Sequence, residues 1–194
     1  MTETLRDPVA DRETFRKQLA QGEYIEECAV RWLKARGSHA RKAEGPVMTT
    51  CGPRQARRPD IVVMPKDGRM YWLESKFEAT LSYHLRSEAF GFSIGRDKFK
   101  DYVDVSEYHG VPTFILLVVG SDTPPESDRE QSKLLDLWLP ETYPWGVFTA
   151  DVKRLASRQR FEDTLAGDWA WFDIADFHYI CDFDTFMEAS REVD

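Results

Sequence analysis

Asp60, Glu74 and Lys76 are charged residues set in two β-prone runs, IVVM (61–64) and MYWL (70–73), which the turn-forming PKDG of residues 65–68 joins. Charge in a strand is costly to bury unless a cation, a metal or hydrogen bonds meet it, so the pattern calls for a chemical reason. The loop length decides what faces what. A two-residue Asp67-Gly68 turn would pair Asp60 with Ser75 and leave Asp60 on the face opposite Glu74 and Lys76. A three-residue Lys66-Asp67-Gly68 loop, with Gly68 left-handed, pairs Asp60 with Glu74, Val62 with Trp72 and Met64 with Met70. We adopt the second register. It gathers the charges at one end of one face and leaves Ile61, Val63, Tyr71, Leu73 and Phe77 on the other, as a sheet covered on both sides requires.

Carboxylates opposite each other on neighbouring strands have Cβ atoms about 5 Å apart. Both ionised, they repel; with a divalent cation between them they become ligands, and oxygen ligands completed by water suit Mg²⁺ or Mn²⁺. The three cysteines (Cys28, Cys51, Cys181) and four histidines show no paired spacing, which supports neither zinc nor a disulfide framework. Lys76 shares the face of Glu74 because strand side chains alternate. Its ammonium can neutralise a phosphate and position or deprotonate a water, so metal plus lysine describes a phosphodiester-hydrolysing site. The alternative is a buried salt bridge between Lys76 and one acid, with the other acid at the strand margin.

These residues need elements to hold them. Phe15, Leu19, Gly22, Ala29, Trp32 and Leu33 recur at helical spacing over about residues 11–36, with Glu26 in the same stripe and Gly37 as a stop. Residues 38–58 read as a basic, Gly/Pro-containing loop with one short strand near Val47–Thr50, and residues 78–95 as a loop. A helix over Arg96–His109, carrying Phe99, Tyr102, Val103 and Ser106, precedes the apolar strand Thr113–Val119. Ser121–Ser132 is a polar loop. The remainder is aromatic, acidic and strand-like, with a short helix near residues 150–160.

The order and context of the charges resemble the PD-(D/E)xK nuclease superfamily, and within it the nucleases of Holliday-junction-resolvase type and related phage or restriction-like enzymes. Pro59-Asp60 and Glu74-Ser75-Lys76 match its signature, and Gly22, Glu26 and Gly37 match a first-helix pattern of the resolvases. The likeness covers about Gln21 to Gly120. It implies an α/β (α+β) fold: a restriction-endonuclease-like αβββαβ core with a central mixed sheet flanked by helices. Residues 1–120 would form this core, and residues 121–194 an acidic, aromatic-rich C-terminal α/β elaboration packed on the same domain. It further implies that Asp60, Glu74 and the Ser75 backbone carbonyl hold Mg²⁺, with Mn²⁺ able to substitute. Glu26 would join directly or through water, and Lys76 would orient the nucleophile. The products would carry a 5′ phosphate and a 3′ hydroxyl, and a homodimer would serve two-strand cutting. The tail has no counterpart in the minimal resolvases.

Charge is uneven. The net formal charge is −8, yet residues 31–58 hold eight Lys/Arg against one acid, while residues 121–194 hold seven against seventeen. Arg54, Arg57 and Arg58, with Arg96 and Lys98 on the next helix, are therefore the candidate DNA-backbone contacts; Arg41 and Lys42 read equally as a solvated loop. Trp145, Trp169, Trp171 and Phe172 could stack on bases, but among so many acids core packing or a subunit interface is the expectation. The polar amino terminus and the lack of a 20-residue apolar run lead us to expect an intracellular protein without a membrane partner. The reading is a Mg²⁺-dependent DNA endonuclease, with a non-catalytic nuclease-fold subunit as the alternative.

Overall fold

The chain adopts the hairpin register chosen from the charges. We describe a computed structural model over residues 8–78, 81–84, 89–120, 146–158, 160–164 and 167–191. Helix α1 (Pro8–Ala35) is followed by β1 (His39–Lys42), β2 (Met48–Cys51), β3 (Arg54–Arg57), β4 (Ile61–Met64) and β5 (Tyr71–Glu78). β4 and β5 are antiparallel, with Ile61 opposite Leu73, Val62 opposite Trp72 and Val63 opposite Tyr71, so the ladder continued by one step sets Asp60 beside Glu74. The pairing stops short of Met64 and Met70, and both methionines are exposed. Gly68 takes φ 77° at the turn, a conformation that side chains oppose, and its N–H donates to the Pro65 carbonyl at 2.9 Å.

β1 pairs antiparallel with β4; α2 (Arg96–His109) leads to β8 (Thr113–Val119), which lies parallel to β5. Helix, three antiparallel strands, helix and strand therefore follow in the expected order. β9 (Gly146–Asp151) and β12 (His178–Cys181) from the C-terminal part extend the sheet to six strands in the order β1-β4-β5-β8-β9-β12. α1 and α4 (Phe183–Arg191) cover one face, over Ile61, Val63, Leu73, Leu116, Val118 and Val147. α2 and α3 (Val152–Ala156) cover the other, over Ile115, Leu117, Val119 and Phe148. Burial on both faces explains why β8 is an unbroken apolar run. The architecture is a mixed α+β fold with a central mixed sheet flanked by helices.

Three expectations are corrected. Residues 78–95 are not a loop: β6 (Ser82–His84) and β7 (Ala89–Gly95) pair, and β7 also pairs with β11 (Gly167–Asp173), giving a second sheet in the order β10-β11-β7-β6 with β10 (Arg160–Thr164). Phe92 and Ile94 alternate into the core beside α2, where Phe99 meets Phe172 with ring centroids 4.7 Å apart. Residues 38–58 hold three strands where one was expected, because β2 and β3 form a hairpin that buries Cys51 and Ala56 on Val105 of α2. Leu19 is 53% exposed, since burial along the described side chains of α1 begins only at Ile25. Among the described residues no helix is long and apolar enough to cross a membrane.

Candidate active site

Glu74 is the centre of the charged cluster. It lies on the α2 side of the sheet, next to Leu73 on the α1 side, and is 1% exposed. Its Oε1 accepts from the Lys76 ammonium and from the Tyr102 hydroxyl of α2, and the Lys98 ammonium of the same helix stands 3.5 Å away. Its Oε2 is buried without a hydrogen-bond partner. Lys98 and Tyr102 are four residues apart on α2, which puts them on one helical face.

The electrostatics follow from this packing. Burial alone would raise the Glu74 pKa, but Lys76 and Lys98, with hydrogen bonds from Lys76 and Tyr102, outweigh it and hold the carboxylate below its ordinary range. Asp60 goes the other way: burial, then the charge of Glu74, push its carboxyl up to about 8 despite Lys76. Burial would strip the Lys76 proton, yet Glu74 and Asp60 keep its pKa raised. Lys98 is lowered, by burial and then by the charge of Lys76. Burial and the nearby Glu74 charge raise Tyr102, so its hydroxyl remains a donor.

The ion pair between Lys76 and Glu74, the alternative reading of the motif, is thus present. It accounts for one oxygen of one carboxylate. It leaves Glu74 Oε2 unpartnered and Asp60 too short of positive charge to ionise readily, and buried polar atoms in native sites ordinarily have partners. A divalent cation between the two would meet both needs, so these residues fit one. The Ser75 carbonyl lies close by, 3.4 Å from Lys76 Nζ. Glu26 is not in the immediate cluster: its carboxylate pairs with Lys42 at 3.3 Å, and it reaches Asp60 as one of the charges raising it. Among the described residues no three His, Cys, Asp or Glu side chains converge as a ready ligand set.

The basic residues divide. Arg57, Lys76 and Lys98 line an open cleft of 590 Å³ beside the cluster, together with Gly95, Asp101 and Trp169. Arg54 does not face that cleft as a free cation; it bridges Asp101 and Asp104, the latter at 2.7 Å, and pins the β2–β3 hairpin to α2. Arg58 is not among the residues lining the cleft. Its guanidinium instead donates to the Ala43, Glu44 and Gly45 carbonyls. Arg96 pairs with Asp168 of β11 at 3.1 Å, while Arg41 is an exposed partner of Glu44. Trp171 and Phe172 are core residues as expected, Trp145 falls outside the described residues, and Trp169 is 36% exposed on the cleft. The sequence reading missed Tyr102 as a polar contact, although its spacing from Lys98 was a usable signal. It also missed Trp169 at the site, for which no local signal exists.

No family model and no curated protein matches the chain. Among solved structures, the chain is similar to a Holliday junction resolvase of the archaeal hyperthermophile Archaeoglobus fulgidus. The alignment covers 82% of this chain and 92% of that one, at 15% identity and a TM-score of 0.47.

Proposed function

We propose that this chain is a metal-dependent endonuclease hydrolysing phosphodiester bonds in DNA, with branched or junction DNA as its preferred class of substrate. The observation that carries the reading is Glu74, buried with one oxygen unpartnered, beside Asp60 and between two ammonium groups that open onto one cleft. Asp60, Glu74 and the Ser75 carbonyl would hold Mg²⁺ or Mn²⁺, with Glu26 acting through water. When bound, such an ion polarises a phosphoryl oxygen and lowers the pKa of water. Lys76 and Lys98, side by side on the same Glu74 oxygen, bring positive charge to the scissile phosphate, and such charge counts for more here than in bulk water. Tyr102 holds the Glu74 carboxylate in one rotamer. Arg57, exposed at the rim, is placed to meet a neighbouring phosphate.

The test is cleavage of labelled four-way junction, flap, duplex, single-stranded DNA and RNA with Mg²⁺, Mn²⁺ or EDTA, comparing wild type with Lys76→Ala. Metal-dependent cutting of branched DNA that drops at least a hundredfold in the variant is expected. A second reading, a non-catalytic nuclease-fold subunit, draws on Arg54 and Arg58, both of which are consumed by internal contacts. Tight DNA binding without cleavage under any metal would decide for it. A homodimer, in which two copies serve two strands, is part of the proposal; light scattering with and without junction DNA tests it.

A further inference from the structure

Trp169 is a large aromatic side chain left half open on the wall of the charged cleft. β11 buries Ala170, Trp171 and Phe172, and Trp169, on the same face as Trp171, is the one of these four consecutive residues left open at the cleft. Among the described residues no other ring and no cation packs on this indole. Directly across the β11–β7 pair stands Gly95, and a Cβ there would meet no atom within 4 Å. The space beside the ring is therefore empty on the side where a cross-strand partner ordinarily covers an aromatic residue. Gly95 has φ −52° and ψ 130°, which any L-residue can adopt, so the backbone does not demand glycine at this place. The same cleft carries Arg57, Lys76 and Lys98. Of its three acids, Asp101 is engaged by Arg54 and Asp168 by Arg96, and Asp97 is exposed at the start of α2.

An exposed aromatic face, a vacant slot beside it and cations below form a site for one flat ring attached to a phosphate. We infer that this cleft takes an unpaired nucleobase of a DNA strand, stacked on Trp169 over Gly95, while the adjoining phosphate meets the lysines. A base inside a duplex has neighbours on both faces and cannot offer one to the indole without leaving the stack. A cleft of 590 Å³ has room for a nucleotide. Stacking on an aromatic ring tolerates any base, so this subsite would select for an unpaired nucleotide and not for sequence. The inference rests on the nuclease reading for its phosphate but not for its test.

That test is fluorescence of 2-aminopurine placed in a single strand, at a flap junction, or within a blunt duplex, titrated with protein in EDTA so that nothing is cut. Wild type should quench the single-strand and flap probes and leave the duplex probe unchanged. Trp169→Ala should abolish the quench and weaken binding of those two probes about ten- to a hundredfold; Trp169→Phe, which keeps a ring, should restore most of the affinity. Gly95→Val, which fills the slot from the other strand, should act like Trp169→Ala with an unchanged thermal midpoint. Equal signals and affinities for wild type and Trp169→Ala, an equal quench in the blunt duplex, or tighter binding of the RNA strand would each overturn the inference. Quenching that persists in a protein that cuts no substrate would remove the nuclease reading and leave this subsite standing; metal-dependent cutting indifferent to Trp169 would do the reverse.

Discussion

Lys76 and Tyr102 both contact the same oxygen of Glu74, but they do different things for it. Lys76 supplies charge that can be shared with a phosphate; Tyr102 supplies a neutral donor that fixes where the carboxylate points. Tyr102→Phe keeps the buried ring and removes only the donor. Apparent Mn²⁺ affinity in the cleavage assay should fall about ten- to a hundredfold while the far-ultraviolet spectrum stays the same, the usual cost of losing a group that orients a metal ligand. Glu78, at the end of the same strand, reports burial instead. Its carboxyl is pushed up from 4.5 to about 6 by burial, with Lys76 opposing. The folded state thus holds this proton more tightly than the unfolded state does. The associated stability is complete below about pH 4.5 and lost as the pH rises through about 6. Measured in EDTA by denaturant unfolding, Glu78→Gln should gain on the order of 1 kcal/mol relative to wild type between pH 4.5 and pH 7. A constant difference between the two proteins across that range would show that Glu78 is solvated.

At the scale of elements, the site is a corner where β4, β5 and α2 meet and a second sheet closes the far side. Within that sheet β11 is held to β7 through a close approach. A Cβ at Gly91 would lie 2.1 Å from the Phe172 carbonyl oxygen and 2.5 Å from the Trp171 ring, neither of which can move without disturbing β11. Gly91→Ala should therefore cost about 1–3 kcal/mol, a fall in thermal midpoint of roughly 2–10 °C by calorimetry. A midpoint within 1 °C of wild type would mean that β7 and β11 part easily. Hairpin β2–β3 is held differently, by Arg54 on two acids of α2 and by a small apolar contact around Val105. It brings Arg57 to the cleft, so a segment that reads as a basic loop serves to position one cation.

For the whole molecule, the balance of charge in the cluster makes a prediction that no single contact does. Glu74 is buried and Asp60, Lys76 and Lys98 partly so; the four sum to net zero only if both acids ionise, and Asp60, whose carboxyl is pushed up, resists doing so while Glu74 does not. A ligand that binds the folded state alone stabilises it by mass action. Mn²⁺ at a hundredfold over its dissociation constant should contribute about 2.7 kcal/mol, a rise of roughly 5–10 °C in thermal midpoint, and Asp60→Asn should abolish the rise. An equal rise in the variant would place the bound ion elsewhere. Cleavage and stabilisation are then two independent readings of one site.

Local chemistry was enough to specify the strand pair that carries the candidate site. The turn glycine, the apolar alternation and the need to gather Asp60, Glu74 and Lys76 on one face all select a single register, and that register is the one formed. Helix α2 and strand β8 were equally legible, the first from its 3.6-residue period and the Gly110 stop, the second from an apolar run that only a doubly covered strand can use. The sequence also named Lys98 without a reason for it. What it did not determine is who meets whom across long separations. Arg54 and Arg58 look identical to Arg57 along the chain, yet two of the three are spent on carbonyls and acids far away in sequence. Trp169 and Trp171 are two residues apart on one strand, and period-2 alternation alone would put both on the same face; only the strand's packing partners leave one at a cleft and the other in the core. Glu26 fits the motif by spacing, but the distance from a helix to a strand end is set by how the helix sits on the sheet, and here that placement gives it Lys42. Spacing along an element follows from backbone geometry and can be read locally; contact between elements depends on the docking of surfaces, and only the tertiary structure decides it.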